Sequence, residues 1–387
     1  MGFLMVVVPL YLARVGLDPA FIGLLFTISG FVTSSLVAFS GILADRFGRR
    51  RFLVAGTALP IASYAIFAMT TDRSWLIVAA ALGGVGLANG AAGAMTVASF
   101  DALLAERTTG EERTRVFATA QALWNLALAT GAATAGVPQL LRSLGVDEIG
   151  SYRPAFIVMI GVAVVATALI LPLREARAAP HERATGWLPR ASLRPIATYS
   201  LAIGLLGFGL GVAVQLMPLW LNLRFGANEA DLGPWYALAQ LASIASVVMV
   251  PWLDRRFGAS RSVLGMQLAS GALLALIVVA PVFAVAIGLF MTRSFLTNIS
   301  WPFQQSLLMG AVEPRERASA AGIGFAVWGF ANALGPGLAG VLLGTGVLAL
   351  PLLAGAVAYS GAGLVFGIGF GRIKRAPVLE AAASLPG

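Results

Sequence analysis

The sequence predicts an all-α integral membrane protein whose twelve spans form two related six-helix halves, and three features lead there. First, 58% of the 387 residues are apolar and only 11% are charged, against roughly 25% charged in a soluble domain. The mean hydropathy is +0.87. Second, the apolar residues fall into recurrent runs near the roughly 20 residues that a helix needs to cross the hydrocarbon core. Third, the punctuation between the runs repeats from the first half of the chain to the second.

Cut at charged or Pro/Gly-rich breaks, the runs cover residues 1–14, 20–43, 52–71, 75–100, 116–141, 154–173, 195–222, 231–253, 262–280, 282–309, 318–344 and 347–370. The stretch from Trp75 to Phe100 holds several glycines and is read as one helix, because small residues are common where membrane helices pack closely. The organisation expected is a first bundle at 1–173, a linker at 174–194, a second bundle at 195–371 and a tail at 372–387. Twenty of the 26 basic residues fall in loops on one side of these spans, five on the other, and Arg293 falls inside a span. The basic side is expected to be cytoplasmic, with both termini on it, in a plasma or inner membrane.

Composition excludes several functions. The chain has no cysteine and one histidine, which removes disulfides, thiolate nucleophiles and Cys/His metal sites. Its one lysine, Lys374, lies in the tail rather than after a glycine-rich turn, so no Walker A loop is present. His181 has no carboxylate or second histidine placed to make a site and reads as a loop residue. The net charge of +9 is explained by basic loops rather than by nucleic-acid binding. No enzyme activity and no cofactor or metal are expected.

The repeat is specific. Arg14, Gly16 and Gly23 recur as Arg224, Gly226 and Gly233 at a shift of 210, and Arg46-Phe47-Gly48 recurs as Arg256-Phe257-Gly258. Further on, Arg113, Trp124, Gly131 and Gly136 recur as Arg317, Trp328, Gly335 and Gly340 at a shift of 204. Pro9-Leu10 matches Pro218-Leu219. By this alignment the first helix is expected to lack about fourteen residues ahead of Met1, leaving it short for a bilayer.

Between spans two and three stands Gly41-Ile42-Leu43-Ala44-Asp45-Arg46-Phe47-Gly48-Arg49-Arg50, and Asp254-Arg255-Arg256-Phe257-Gly258 stands at the matching place in the second half. A solvated basic turn would account for the arginines alone, but not for the recurrence. The segment resembles the G-x-x-x-D-[RK]-x-G-[RK]-[RK] signature of the major facilitator superfamily, and the resemblance extends over the twelve spans and the linker. It implies a secondary transporter working by alternating access, its two halves rocking about a midplane site. It further implies a cytoplasmic gate at Gly41, Asp45, Arg46, Gly48 and Arg49. Asp101 is a candidate partner, and Asp254, Arg256 and Gly258 form the second copy. The Gly-Pro pattern of antiporters is met best by Gly335-Pro336-Gly337 in span eleven, which favours export. The arginine usual at the start of span four is replaced by Ala81-Leu82-Gly83-Gly84.

Charges inside a membrane are costly and point to function. Arg293 sits near the middle of span ten, and steps of three and four place Thr297, Ser300, Trp301 and Gln304 on or near its face. Asn298 and Gln305 lie beside them. By the resemblance, spans one, four, seven and ten line the cavity, which adds Asn89 and Thr96 from span four and Gln215 and Asn222 from span seven. Two readings of Arg293 stand: a cavity cation that attracts a carboxylate or phosphate, for which its planar fork is suited, or an internal arginine satisfied by neighbours. Asp101 reads as a latch rather than as a proton carrier, and the residues leave proton coupling open. Trp124 and Trp328 read as packing residues, with Asn125 and Asn332 bonding across helices. The expected partners are a small-molecule substrate and the lipid bilayer, with the chain acting as a monomer. The alternative is a transport-inactive receptor or sensor on the same fold.

Overall fold

The computed structural model describes residues 1–86, 90–96, 100, 110–172 and 192–371, and among them there is no strand. The first half contains α1 (Gly2–Arg14), α2 (Pro19–Phe47), α3 (Arg49–Met69), α4 (Arg73–Leu82), α5 (Gly110–Ala133), α6 (Val137–Ser143) and α7 (Arg153–Ile170). The second contains α8 (Leu193–Ala213), α9 (Met217–Phe225), α10 (Glu229–Phe257), α11 (Ala259–Val278), α12 (Phe283–Ala311), α13 (Arg317–Gly344) and α14 (Ala349–Phe370). Eight segments are long and apolar enough to cross a membrane, one of them running through both α8 and α9. The shorter α1 and α4, together with α5 and α10, occupy the remaining positions, which is consistent with twelve spans. Buried apolar side chains from both halves form one continuous core, while the outer faces of α7 and α14 present Ile157, Val158, Val357 and Ile368. Such an apolar exterior is stable only against lipid.

The signature turn keeps its repeat in three dimensions. Gly48 leads into α3 with φ of 91°, and Gly258 leads into α11 with φ of 77°. Both lie in a region that L side chains avoid. These turns and the start of α8 define one face, called the linker face after the linker expected between the halves.

Among the described residues the halves meet mainly through two helix pairs, α2 with α13 and α5 with α10, and α1 also packs on α9 and α10. Their approach is set by small residues that are themselves repeat partners. A Cβ on Gly23 would stand 2.2 Å from the Pro336 carbonyl oxygen, and one on Gly340 would stand 2.3 Å from the Pro19 oxygen. At the pseudo-equivalent seam, a Cβ on Gly233 would stand 2.7 Å from the Ala132 oxygen, and Gly136 lies against Ala230. Both seams lie toward the face opposite the linker, so the halves are closed there.

One expectation requires correction. The stretch from Trp75 to Phe100 is not one helix: α4 stops at Leu82, and helix resumes at residue 90. Gly83, Gly84, Gly86 and Gly90 all have positive φ, so four left-handed or extended glycines cluster where a helix would need αR. Irregular backbone at membrane depth needs internal partners, and side chains supply them. Ser29 donates to the Val85 oxygen at 3.1 Å, Thr33 to Gly90 at 2.7 Å, and Ser63 to both Ala79 at 2.9 Å and Gly83. Span seven is broken too, between Ala213 and Met217, ahead of Pro218, whose ring nitrogen cannot donate to the preceding turn.

A candidate solute cavity between the halves

The two breaks meet. Gln215 lies in the gap between α8 and α9, and its Oε1 is 3.0 Å from where a Cβ on Gly86 would be. Beside them lies a cavity of about 600 Å³, walled by α1, α2 and α5 from the first half and by α8, α10, α12, α13 and α14 from the second. A space of this size suits a small organic molecule.

Arg293 projects into it from α12 and is 2% exposed. Its guanidinium stacks over the Tyr359 ring, 4.4 Å from the centroid, and donates to the Tyr359 hydroxyl. Among the described residues its Nε has no hydrogen-bond partner, nor does the buried Tyr236 hydroxyl on α10, which lines the same cavity. Among the described residues no carboxylate lies within ion-pair distance of Arg293. A fully desolvated cation held by a π face and one phenol is under-compensated. The cavity therefore has an electropositive end with free hydrogen-bonding atoms.

The rest of the predicted stripe divides. Thr297, Asn298, Trp301 and Gln304 line the cavity with Arg293. The Thr297 hydroxyl donates to the Arg293 carbonyl at 3.1 Å, Asn298 Nδ2 donates to Ser243 Oγ at 2.6 Å, and Trp301 meets Trp328 edge to face at 6.1 Å. Ser300 turns to α11 instead, where its Oγ accepts from Gln267 Nε2 at 2.9 Å and Gln304 Nε2 at 2.7 Å. Gln305 is half-buried and outside the cavity wall. A helix face is a stripe about 100° wide, and steps of three and four drift toward its edges.

Among the span-seven and span-four candidates, Gln215 lines the cavity and donates to Asn332 Oδ1 at 2.7 Å, while Asn332 donates to the Gly207 oxygen at 3.1 Å. Asn222 does not reach the cavity, because its Nδ2 closes the α9 turn on the Ala227 oxygen at 2.9 Å. Thr96 packs on α3, its Oγ1 2.8 Å from where a Cβ on Gly56 would be. Asn89 and Asp101 lie outside the described residues, and of Gly41, Asp45, Arg46 and Arg49 only the helical backbone is described. In the second copy of the signature, Arg256 rests over Trp252 and Phe257, at 6.0 and 5.7 Å. The Asp254 carbonyl accepts the Gly258 amide at 2.9 Å. Trp328 lines the cavity, whereas its repeat partner Trp124 is 43% exposed.

Sequence reasoning missed Tyr236 and Tyr359, which sit on spans eight and twelve. The need of a buried guanidinium for an aromatic face was the signal that could have found them. It also missed Glu229, the first residue of α10, which is 0% exposed.

Two helical halves around a shared cavity, with broken helices at its wall, define a membrane transporter of the secondary type. The sequence pattern of the Major Facilitator Superfamily matches residues 1–336, and the chain belongs to that family. It is 22% identical over 378 residues to multidrug resistance protein 2 of Bacillus subtilis (strain 168), covering 94% of this chain and 90% of that one. Among solved structures, the nucleoside transporter NupG superposes with a TM-score of 0.70 at 14% identity, over 95% of this chain and 95% of that one. A bacterial homologue of the human lysosomal transporter Spinster, inward-facing and occupied, superposes with a TM-score of 0.71 at 13% identity, over 96% and 94%. These two likenesses concern the fold.

Proposed function

We propose that this protein moves a small organic anion by alternating access, working as a monomer, with Arg293 as the charge anchor of the solute. The observation that carries this reading is the buried guanidinium that reaches the cavity without a carboxylate partner among the described residues. A solute carboxylate or phosphate group would supply the missing counter-charge and accept from the free Nε. Thr297, Asn298, Gln304 and Gln215 would read the polar remainder, and Trp301 and Trp328 would pack on a flat apolar part. By the bias of basic residues the linker face is cytoplasmic, so the described state is closed outward. Export is the favoured direction, on the Gly335-Pro336-Gly337 segment of α13 and on the relative named for multidrug resistance.

A second reading has its own support. Part of the cavity wall is apolar and aromatic, with Phe26, Phe290 and Trp301, which suits lipophilic compounds of any charge. A thermal-shift screen on purified protein, run beside Arg293→Ala, separates the two, since a ligand that binds the folded state raises Tm by mass action. Carboxylate- or phosphate-bearing compounds are expected to stabilise the parent and not the variant. Equal stabilisation of both by cationic or neutral lipophiles would replace the anion reading with the multidrug one.

A further inference from the structure

Glu229 belongs to the second half, yet among the described residues the side chains that bind its carboxylate all belong to the first. Arg142 Nη2, at the end of α6, lies 2.7 Å from one carboxylate oxygen, and Arg14 Nε, at the end of α1, lies 3.3 Å from the other. The Tyr152 hydroxyl, in the turn ahead of α7, donates to the same oxygen that Arg14 approaches. Both ion pairs that cross between the halves among the described residues end on this one carboxylate.

The first half builds the socket from its own parts. Arg142 is held by Gln139 Oε1 at 3.2 Å and Ser151 Oγ at 3.3 Å, and its guanidinium lies 5.4 Å from the Tyr152 ring centroid. Arg14 is also paired with Glu148 of the same half. Of the other charged groups nearby, Arg153 acts on Tyr11. Asp231, on α10 itself, is turned back into a capping box with Asn228. The socket is thus braced by contacts within the first half as well as by Glu229. On either side the seams Gly23–Gly340 and Gly233–Ala132 meet through small groups and backbone. They set the distance of approach and carry no charge.

We infer that Glu229 is the latch of the face opposite the linker: its ionised carboxylate, seated in the socket of Arg14, Arg142 and Tyr152, holds the two halves shut there. Alternating access then requires Glu229 to leave the socket each time that face opens. It stands apart from the nature of the solute and needs only the rocking of the two halves.

The latch has a pH dependence whose sign follows from its partners. Glu229 sits at the rim, ahead of the apolar run of α10. Burial alone would raise its carboxyl, but the Tyr152 hydroxyl, its own backbone amide, Arg142 and Arg14 together outweigh burial and hold it below the usual carboxylate range. Once the halves part, water returns the carboxyl to that range. A group titrating lower in the closed form favours closure in full above the ordinary carboxylate pKa, and that preference is lost as pH falls on through the lowered closed-form value. Acid on that face therefore opens it.

The absence of cysteine allows the test to be made on the full chain in lipid nanodiscs. Spin labels at Leu144→Cys in the first half and Val279→Cys in the second sit on exposed positions of that face, and double electron–electron resonance reads their separation. At pH 7 the parent is expected to give one short distance. Glu229→Gln, which keeps shape and removes charge, is expected to shift the closed-to-open ratio at least about tenfold toward a longer distance. The parent should move in the same direction progressively as pH is lowered from neutral through the carboxylate range, and Glu229→Gln should be indifferent to pH. Glu148→Gln, which breaks a pair inside one half, should leave the distances unchanged. The inference is overturned if Glu229→Gln keeps the parent's distances, or if Glu148→Gln opens the face equally. Should Glu229→Gln fail to fold, the parent decides alone: distances that stay unchanged as pH is lowered from neutral to below the carboxylate range overturn the latch.

Discussion

Replacing Arg293 by methionine separates an arginine kept for the solute from one kept for the fold, because the structure assigns the two roles opposite costs. The variant loses the stack on Tyr359, worth about 2 kcal/mol when desolvated, and the charge-assisted bond to the Tyr359 hydroxyl, worth about 1.5–3 kcal/mol. It also removes a buried cation that has no carboxylate partner among the described residues, and whose desolvation costs several kcal/mol. A methionine of similar length fills the space. The opposing amounts are comparable, so Tm is expected to stay within about 5 °C of the parent or to rise. Binding should respond differently. A bidentate guanidinium–carboxylate contact worth about 1.5–3 kcal/mol corresponds to a loss of roughly 10- to 150-fold in affinity, confined to anionic ligands. Thermal unfolding in detergent gives the first quantity. Quenching of tryptophan fluorescence gives the second, since Trp301 and Trp328 both line the cavity. A fall in Tm above 10 °C, with ligand affinity retained in the cold, would refute the reasoning and make Arg293 a structural residue.

Two further outcomes follow from the packing. Ser300→Ala removes the hydroxyl that both Gln267 and Gln304 donate to, leaving two buried amides unpaired, and is expected to cost about 2–4 kcal/mol at about 1–2 kcal/mol for each amide. Denaturation in mixed detergent would show it, and a change below 0.5 kcal/mol would contradict the assigned network. Gly258→Ala forces a Cβ into a turn with φ of 77° and ψ of 157°, a strain of about 1–3 kcal/mol. It should lower the unfolding midpoint, whereas Gly265→Ala on α11, with open space around it, should not.

Much of this fold could be read from the sequence because lipid imposes a strict rule: each crossing must be helical, apolar and long enough. The recurrence of Gly23 as Gly233 and of Gly136 as Gly340 was legible in the sequence, and the structure adds that these glycines stand where the halves approach closely. The break in span four was not legible. Glycines permit both tight packing and unwinding, and what decides between them is whether Ser29, Thr33 and Ser63 on neighbouring helices can take the freed carbonyls. Within the candidate site, periodicity along α12 brought Arg293, Thr297, Trp301 and Gln304 to one face, but it could not say that Ser300, at the edge of the stripe, would find Gln267. Tyr236 and Tyr359 come from other helices, and no spacing within one helix reaches them. Glu229 stands two residues ahead of the apolar run at 231–253, and nothing in its local sequence marks it for burial. Its burial depends on Arg14 and Arg142, which are distant in sequence and adjacent only after the halves close.

The central claim, that the cavity carries an anionic solute anchored by Arg293, is tested most directly by counterflow in sealed proteoliposomes. Vesicles loaded with an unlabelled organic carboxylate chosen by the thermal-shift screen are diluted into trace labelled compound. The account predicts transient label accumulation with the parent, at least tenfold slower entry with Arg293→Met, and equal protein insertion in both. Accumulation at the same rate in parent and variant would contradict it.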